Sequence, residues 1–146
     1  MRKIAVSLLV LCGLAAAVTG AKYFFATEFM PYHAAVAGRT WAQLDQGTQT
    51  IISGMLKVIG AGFLGGGVSL LCFAYPAAKG ERWPAWGALL VGASVWGPTL
   101  YVTILLRQAN PGAETPMVPS ALVLLLIVVA ALLLWRQSAP STQRES

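Results

Sequence analysis

Charge is scarce in this chain. Asp and Glu together number five in 146 residues, and charged residues of both signs make up 10%, against about 25% in a soluble domain. Histidine occurs once, at His33, and cysteine twice, at Cys12 and Cys72. A single histidine excludes haem held by paired histidines and any two-histidine relay within the chain. No HxxxH, HxxE or CxxC spacing is present, so neither zinc nor a redox dithiol has its usual sequence framework. His33, Glu28, Asp45 and Glu114 are ordinary ligand types, but without spacing they do not define a metal site. There is no GxSxG and no nucleophile constellation. No catalytic residue, metal or cofactor is expected.

What is abundant is apolar sequence. Hydrophobic residues make up 57% of the chain, concentrated in runs at 4–26, 49–75, 83–106 and 117–135. A helix needs roughly 20 apolar residues to cross a bilayer core. The expected fold is therefore all-α: an integral membrane four-helix antiparallel bundle in a single domain spanning 1–146. The pieces between the runs are too short for a separate domain. The tail 136–146 is polar, contains Pro140, and is expected to be disordered.

Net charge is +5. The basic residues flank apolar runs and form no stripe, so a nucleic-acid partner is not expected. Cytoplasmic flanks are enriched in Lys and Arg. With the N-terminus inside, Arg2, Lys3, Lys79, Arg82, Arg136 and Arg144 fall on the inner side, and Lys22, Arg39 and Arg107 on the outer side. The bias places both termini in the cytoplasm of a multi-pass protein of the cell inner membrane. Arg2 and Lys3, with Ala15-Ala16-Ala17 downstream, also fit a cleavable signal. The run continues, however, to Tyr23-Phe24-Phe25, aromatics that suit a membrane interface, and a retained helix is the preferred reading.

The first run pairs Gly13 with Ala17 and Ala16 with Gly20, spacing that lets helix backbones approach closely in lipid. The second run carries Ser53, Gly60 and Gly67 every seven residues, with GxxxG spacing at Gly62 and Gly66 and Ala61 paired likewise with Gly65. It is expected at the bundle centre, packed on the first run, the third, or another copy. Gly60, Gly62 and Gly65 match GxGxxG, but no strand precedes them, which excludes a dinucleotide site. In the third run Pro98 removes a backbone donor and frees the Ser94 carbonyl, predicting a kink. The fourth run is apolar on all faces and suits the lipid side. Cys12 and Cys72 fall in the inner halves of their runs, facing a reducing compartment, and are expected as small apolar residues rather than a disulfide.

The polar centre is 27–48. Pro31 and Gly38 bracket a short helix, and Thr40 or Asp45 is placed to cap the helix after it. Lys57 is the ionisable residue inside a run. Such residues are costly and often functional. It either stretches to the outer interface to meet Asp45, Glu28 or Glu114, or faces the interior to bind an anion. If the chain binds something small, the expected site lies under the outer segment. Glu28, His33, Arg39, Asp45 and Lys57 would supply its polar groups, with Tyr32, Trp41 and Tyr101 as walls.

Glu28, Met30-Pro31-Tyr32-His33, Gly38, Trp41, Leu44 and the Lys57–Gly67 stretch resemble a group of small uncharacterised bacterial four-span membrane proteins. In hydropathy and size the chain is also similar to the broader DoxX-like class. The closer resemblance implies the four-span fold and no activity. The expected function is accordingly a membrane protein of binding or accessory type, acting with the bilayer, another copy or a partner subunit. The alternatives are an oligomeric small-solute transporter or channel, and a quinone-contacting subunit of a membrane oxidoreductase, the latter implied only by the DoxX-like outline.

Overall fold

A computed structural model describes residues 1–136. The expectation of a disordered tail falls almost wholly outside them. All regular structure among the described residues is helical. The elements are α1 (Arg2–Phe24), α2 (Pro31–Ala37), a single 3-10 turn (Trp41–Gln43), α3 (Gln46–Lys79), α4 (Trp83–Val91), α5 (Gly97–Ala109) and α6 (Met117–Arg136). A π turn (Gly92–Trp96) joins α4 directly to α5. Four continuous helices, with α4 to α5 counted as one, are long and apolar enough to span a membrane. Many of their large apolar side chains, among them Val18, Val58, Leu90 and Leu125, are exposed on the surface of the bundle. Soluble monomers rarely present so much contiguous apolar surface.

The most extensive packing is between α1 and α3, and glycine makes it possible. A Cβ on Gly20 would lie 2.6 Å from the Leu64 nitrogen, and one on Gly60 2.5 Å from the Phe24 nitrogen. Gly67 would meet the Gly13 carbonyl at 2.7 Å, and Gly13 would meet Leu71 at 2.9 Å. The order along α1 is opposite to that along α3. The close surface thus uses the seven-residue pair Gly60 and Gly67 against Gly13 and Gly20. The other small residues of α3 do different things. Gly66 faces Val95, whereas a Cβ on Gly54, Gly62 or Gly65 would meet nothing within 4 Å.

This contact fixes relative height. α1 has 23 residues and α3 has 34, about 35 and 50 Å long at about 1.5 Å per residue. Because Phe24 ends α1 against Gly60, residues 46–59 of α3 run on past it for about 20 Å. At the other end, α3 closes on Gly80, whose φ of +93° is a left-handed position that suits glycine. Arg2 lies against that same turn. Trp86 and Trp135 meet nearby at 4.9 Å between ring centroids.

The deformation at Pro98 takes the form of the π turn. Proline has no N–H and its ring would strike the carbonyl four residues back. The widened turn absorbs this, with the Gly97 N–H reaching back to the Gly92 carbonyl. The consequence is a change of neighbours. α4 packs on both α3 and α6, but α5 packs on α6 and leaves α3 almost without contact. The core below the π turn is close-packed, built from Ala5, Leu9, Leu70, Ala88, Ile127 and similar buried residues.

The glycine interface gives a direct contrast. Gly60→Ala forces a methyl against backbone and should cost about 1–3 kcal/mol. Gly62→Ala fills open space and should be neutral or stabilising by up to about 1 kcal/mol. Reversible unfolding in mixed micelles measures both, and equal effects would count against the interface.

Candidate functional site

The overhang of α3 carries a lid. Residues 25–45 fold back across the end of the bundle, with their own Phe29 and Met30 buried. Phe29 meets Trp41 edge-on at 5.3 Å and His33 at 6.3 Å. The Gln49 side-chain amide donates to the Trp41 and Leu44 carbonyls at 2.9 and 3.3 Å. Asp45 caps α3, accepting from the Thr48 N–H at 2.9 Å and its hydroxyl at 2.6 Å. These bonds hold the Asp45 carboxyl below the usual carboxylate range. Gly38, with φ of +65°, ends α2 in the left-handed conformation. Asn110 donates to the Ala35 carbonyl at 2.8 Å and ties α2 to the α5–α6 loop.

Two adjoining chambers lie under α2. The first, about 320 Å³, sits between α1, α5 and α6. Its walls include Thr19, Trp96, Ser120 and Val123, and the exposed residues Lys22 and Glu114 stand at its opening. The second, about 230 Å³, occupies the gap that α5 leaves against α3. Thr103 and Pro98 line it, as do the outward-facing Ile59 and Val102, so it opens sideways through apolar residues. Tyr23, Tyr32, Phe63 and Thr99 belong to both chambers. No lining residue of either comes from 1–14, 64–95 or 124–136, so the chambers occupy one half of the bundle.

The Tyr23 and Tyr32 hydroxyls are hydrogen-bonded to each other. One phenolic proton is used between them, and the other remains for a ligand. Burial, chiefly, and the bond to Tyr23 push the Tyr32 phenol well above its ordinary value, so it stays protonated. Thr99 donates to the Val95 carbonyl at 2.6 Å and Ser120 to Pro116 at 2.7 Å. Their hydroxyl oxygens therefore face the chambers as acceptors. His33 accepts the Met30 N–H at Nδ1, 3.2 Å away. The neutral ring consequently carries its proton on Nε2. Among the described residues no group accepts from Nε2, so His33 brings a free donor to the second chamber. Burial lowers its pKa from 6.5. The buried Trp96 Nε1 likewise has no hydrogen-bond partner.

The residues expected at the site are dispersed by this arrangement. Tyr32 and His33 line the chambers. Trp41 and Asp45 fasten the lid to α3. Glu28 and Arg39 are exposed on the lid and line neither chamber, and Tyr101 points outward at 64% exposure. Lys57 is exposed as well. Its ammonium donates to the Phe24 carbonyl at 3.2 Å and lies 5.7 Å from the Phe24 ring centre. That is a cation at the C-terminus of α1, satisfying a terminal carbonyl and opposing the helix dipole. It shares a shallow groove with Trp41 and Gln49, apart from the chambers. Sequence reasoning missed Lys22, Tyr23, Phe63, Trp96, Thr99 and Glu114 as site residues. Tyr23 and Lys22 were legible as the end of an apolar run. Glu114 was weighed only as a metal ligand type or a partner of Lys57, and nothing local ties Thr99 to a site.

No protein-family model matches the chain, and no curated protein or solved structure matches it.

Two outcomes follow from this geometry. Because the folded His33 has the lowered pKa, the unfolded lid binds the proton more readily. The stability His33 gives the lid is complete at neutral pH and falls as pH drops below 6.5. Hydrogen exchange of α2 amides, corrected for intrinsic rates, should accelerate over that range. His33→Phe should exchange faster throughout and lose the pH dependence. Lys57→Met should lower stability by at most about 1 kcal/mol while leaving the chambers unchanged.

Proposed function

We propose that this protein is a small multi-pass inner-membrane protein of binding or accessory type. In this reading the four helices form an antiparallel bundle with both termini in the cytoplasm, and an amphipathic small molecule is held in the paired chambers under the outer lid. The six-to-three bias of basic residues supports the orientation. The closeness of Arg2 to the Gly80 turn at one end, and of Phe24 to Gly60 near the other, supports the antiparallel arrangement of α1 and α3. The length of α1 matches a bilayer core of about 30 Å. With α1 in the membrane, Lys57 falls at its outer edge, where an ammonium is inexpensive.

The observation that carries the binding reading is the gap between α3 and α5. It joins a polar, aromatic interior to an apolar side opening and lies under a lid held by side chains. Ligand sites are concave, mostly apolar, and carry a few convergent polar groups. The remaining phenolic proton of the tyrosine pair, the His33 Nε2–H and the Thr99 oxygen are such groups. A path across the membrane through one copy is disfavoured, because the chambers end at Phe63 and Trp96, whose rings meet at 5.1 Å above the alanine-rich core.

Native mass spectrometry of protein released from lipid nanodiscs tests this reading. Wild type should retain a defined extra mass that Ala15→Leu, which fills the first chamber, loses and Tyr101→Leu keeps. A mass retained by Ala15→Leu would place the ligand elsewhere. Bare wild-type protein would overturn the reading.

A further inference from the structure

Resting on that binding reading, we infer that the ligand's head carries an ammonium and an anionic group together, with an apolar part behind it. Among the described residues, Lys22 and Glu114 are the only charged ones lining either chamber, and both line the first. Both are exposed and stand at its opening. Among the described residues neither makes a hydrogen bond or ion pair, so the two charges do not neutralise one another. They come from separate elements, Lys22 from the last turn of α1 and Glu114 from the α5–α6 loop. Asn110 and the buried Ala113 and Thr115 hold that loop in place.

A head bearing only negative charge would gain Lys22 and be repelled by Glu114. A head bearing only positive charge would suffer the reverse. A zwitterion answers both, and rim charges act mainly through this kind of discrimination. Behind the charges the walls turn aromatic and apolar at Phe63 and Trp96. The second chamber lies across Tyr23, Tyr32, Phe63 and Thr99 from the first and opens past Ile59 and Val102, so an apolar tail reaching past those four side chains has a way out into lipid. The same head chemistry belongs to an aminophospholipid of the bilayer and to a free zwitterionic solute at the outer face.

The test is native mass spectrometry in neutral maltoside micelles with equimolar lysophosphatidylethanolamine and lysophosphatidylglycerol of one chain length. The second lipid keeps the phosphate and lacks the ammonium. Wild type should prefer the ethanolamine lipid by about three- to fivefold, as expected for a partly exposed charge contact. Glu114→Gln should abolish that preference, and Lys22→Gln should weaken both lipids. The exchanged pair Lys22→Glu with Glu114→Lys should restore it. Soluble phosphoethanolamine that competes as well as the lipid would support the head chemistry and assign it to an aqueous solute. Failure to compete would support a lipid source. Equal binding of the two lipids by wild type, or a preference unchanged in Glu114→Gln, would overturn the inference. Ala15→Leu separates the two levels. If it abolishes binding while wild type shows no head preference, the inference fails and the binding reading stands. If it retains both lipids, the binding reading itself fails.

Discussion

Backbone-to-backbone contact between α1 and α3 is the constraint on which the remaining architecture depends. Gly13, Gly20, Gly60 and Gly67 let two helices meet with no side chain between them. Outside water, where burial of apolar surface no longer drives helices together, such close approach supplies much of the association. It also locks the height of one helix against the other. α1 stops at Phe24, α3 runs on, and the overhang becomes the post to which Phe29, Trp41 and Leu44 are fastened. The lid therefore exists because two helices of unequal length were locked by their glycines at one height.

The second determinant is a deformation. Pro98 lacks an N–H and crowds the carbonyl four residues back, and beyond the π turn before it α5 makes almost no contact with α3. The gap left between α5 and α3 is the second chamber. π turns recur at functional positions for this reason: they trade regular packing for space. Here the space is bordered by the Tyr23–Tyr32 pair and His33, which arrive from the end of α1 and from the lid. Lid, gap and polar groups thus converge from three separate parts of the chain.

Much of this was legible in the sequence and some was not, for identifiable reasons. The four apolar runs marked the helices to within a few residues. Pro31 and Gly38 marked α2, Asp45 the cap of α3, and Pro98 the deformation, because each acts through its own backbone. The seven-residue glycine spacing was visible, but its partner was not, since Gly62 and Gly65 have equally suggestive spacing and face outward. Lys57, counted inside an apolar run, was left between reaching the outer interface and facing the interior; it is exposed, but its partner is the Phe24 carbonyl rather than Asp45, Glu28 or Glu114. Its surroundings depend on where α1 ends, and that is a long-range fact.

Length, apolarity and local punctuation were written along the chain: four membrane-length helices, a short helix between two of them, and a break at Pro98. Those are properties of neighbouring residues and of the backbone. The height of α1 against α3, the partner of Lys57, and the placing of Lys22 and Glu114 around one cavity came from packing. These placements bring together residues 33 to 92 positions apart along the chain. No local pattern encodes which helix faces converge, because that choice is made by packing between whole helices.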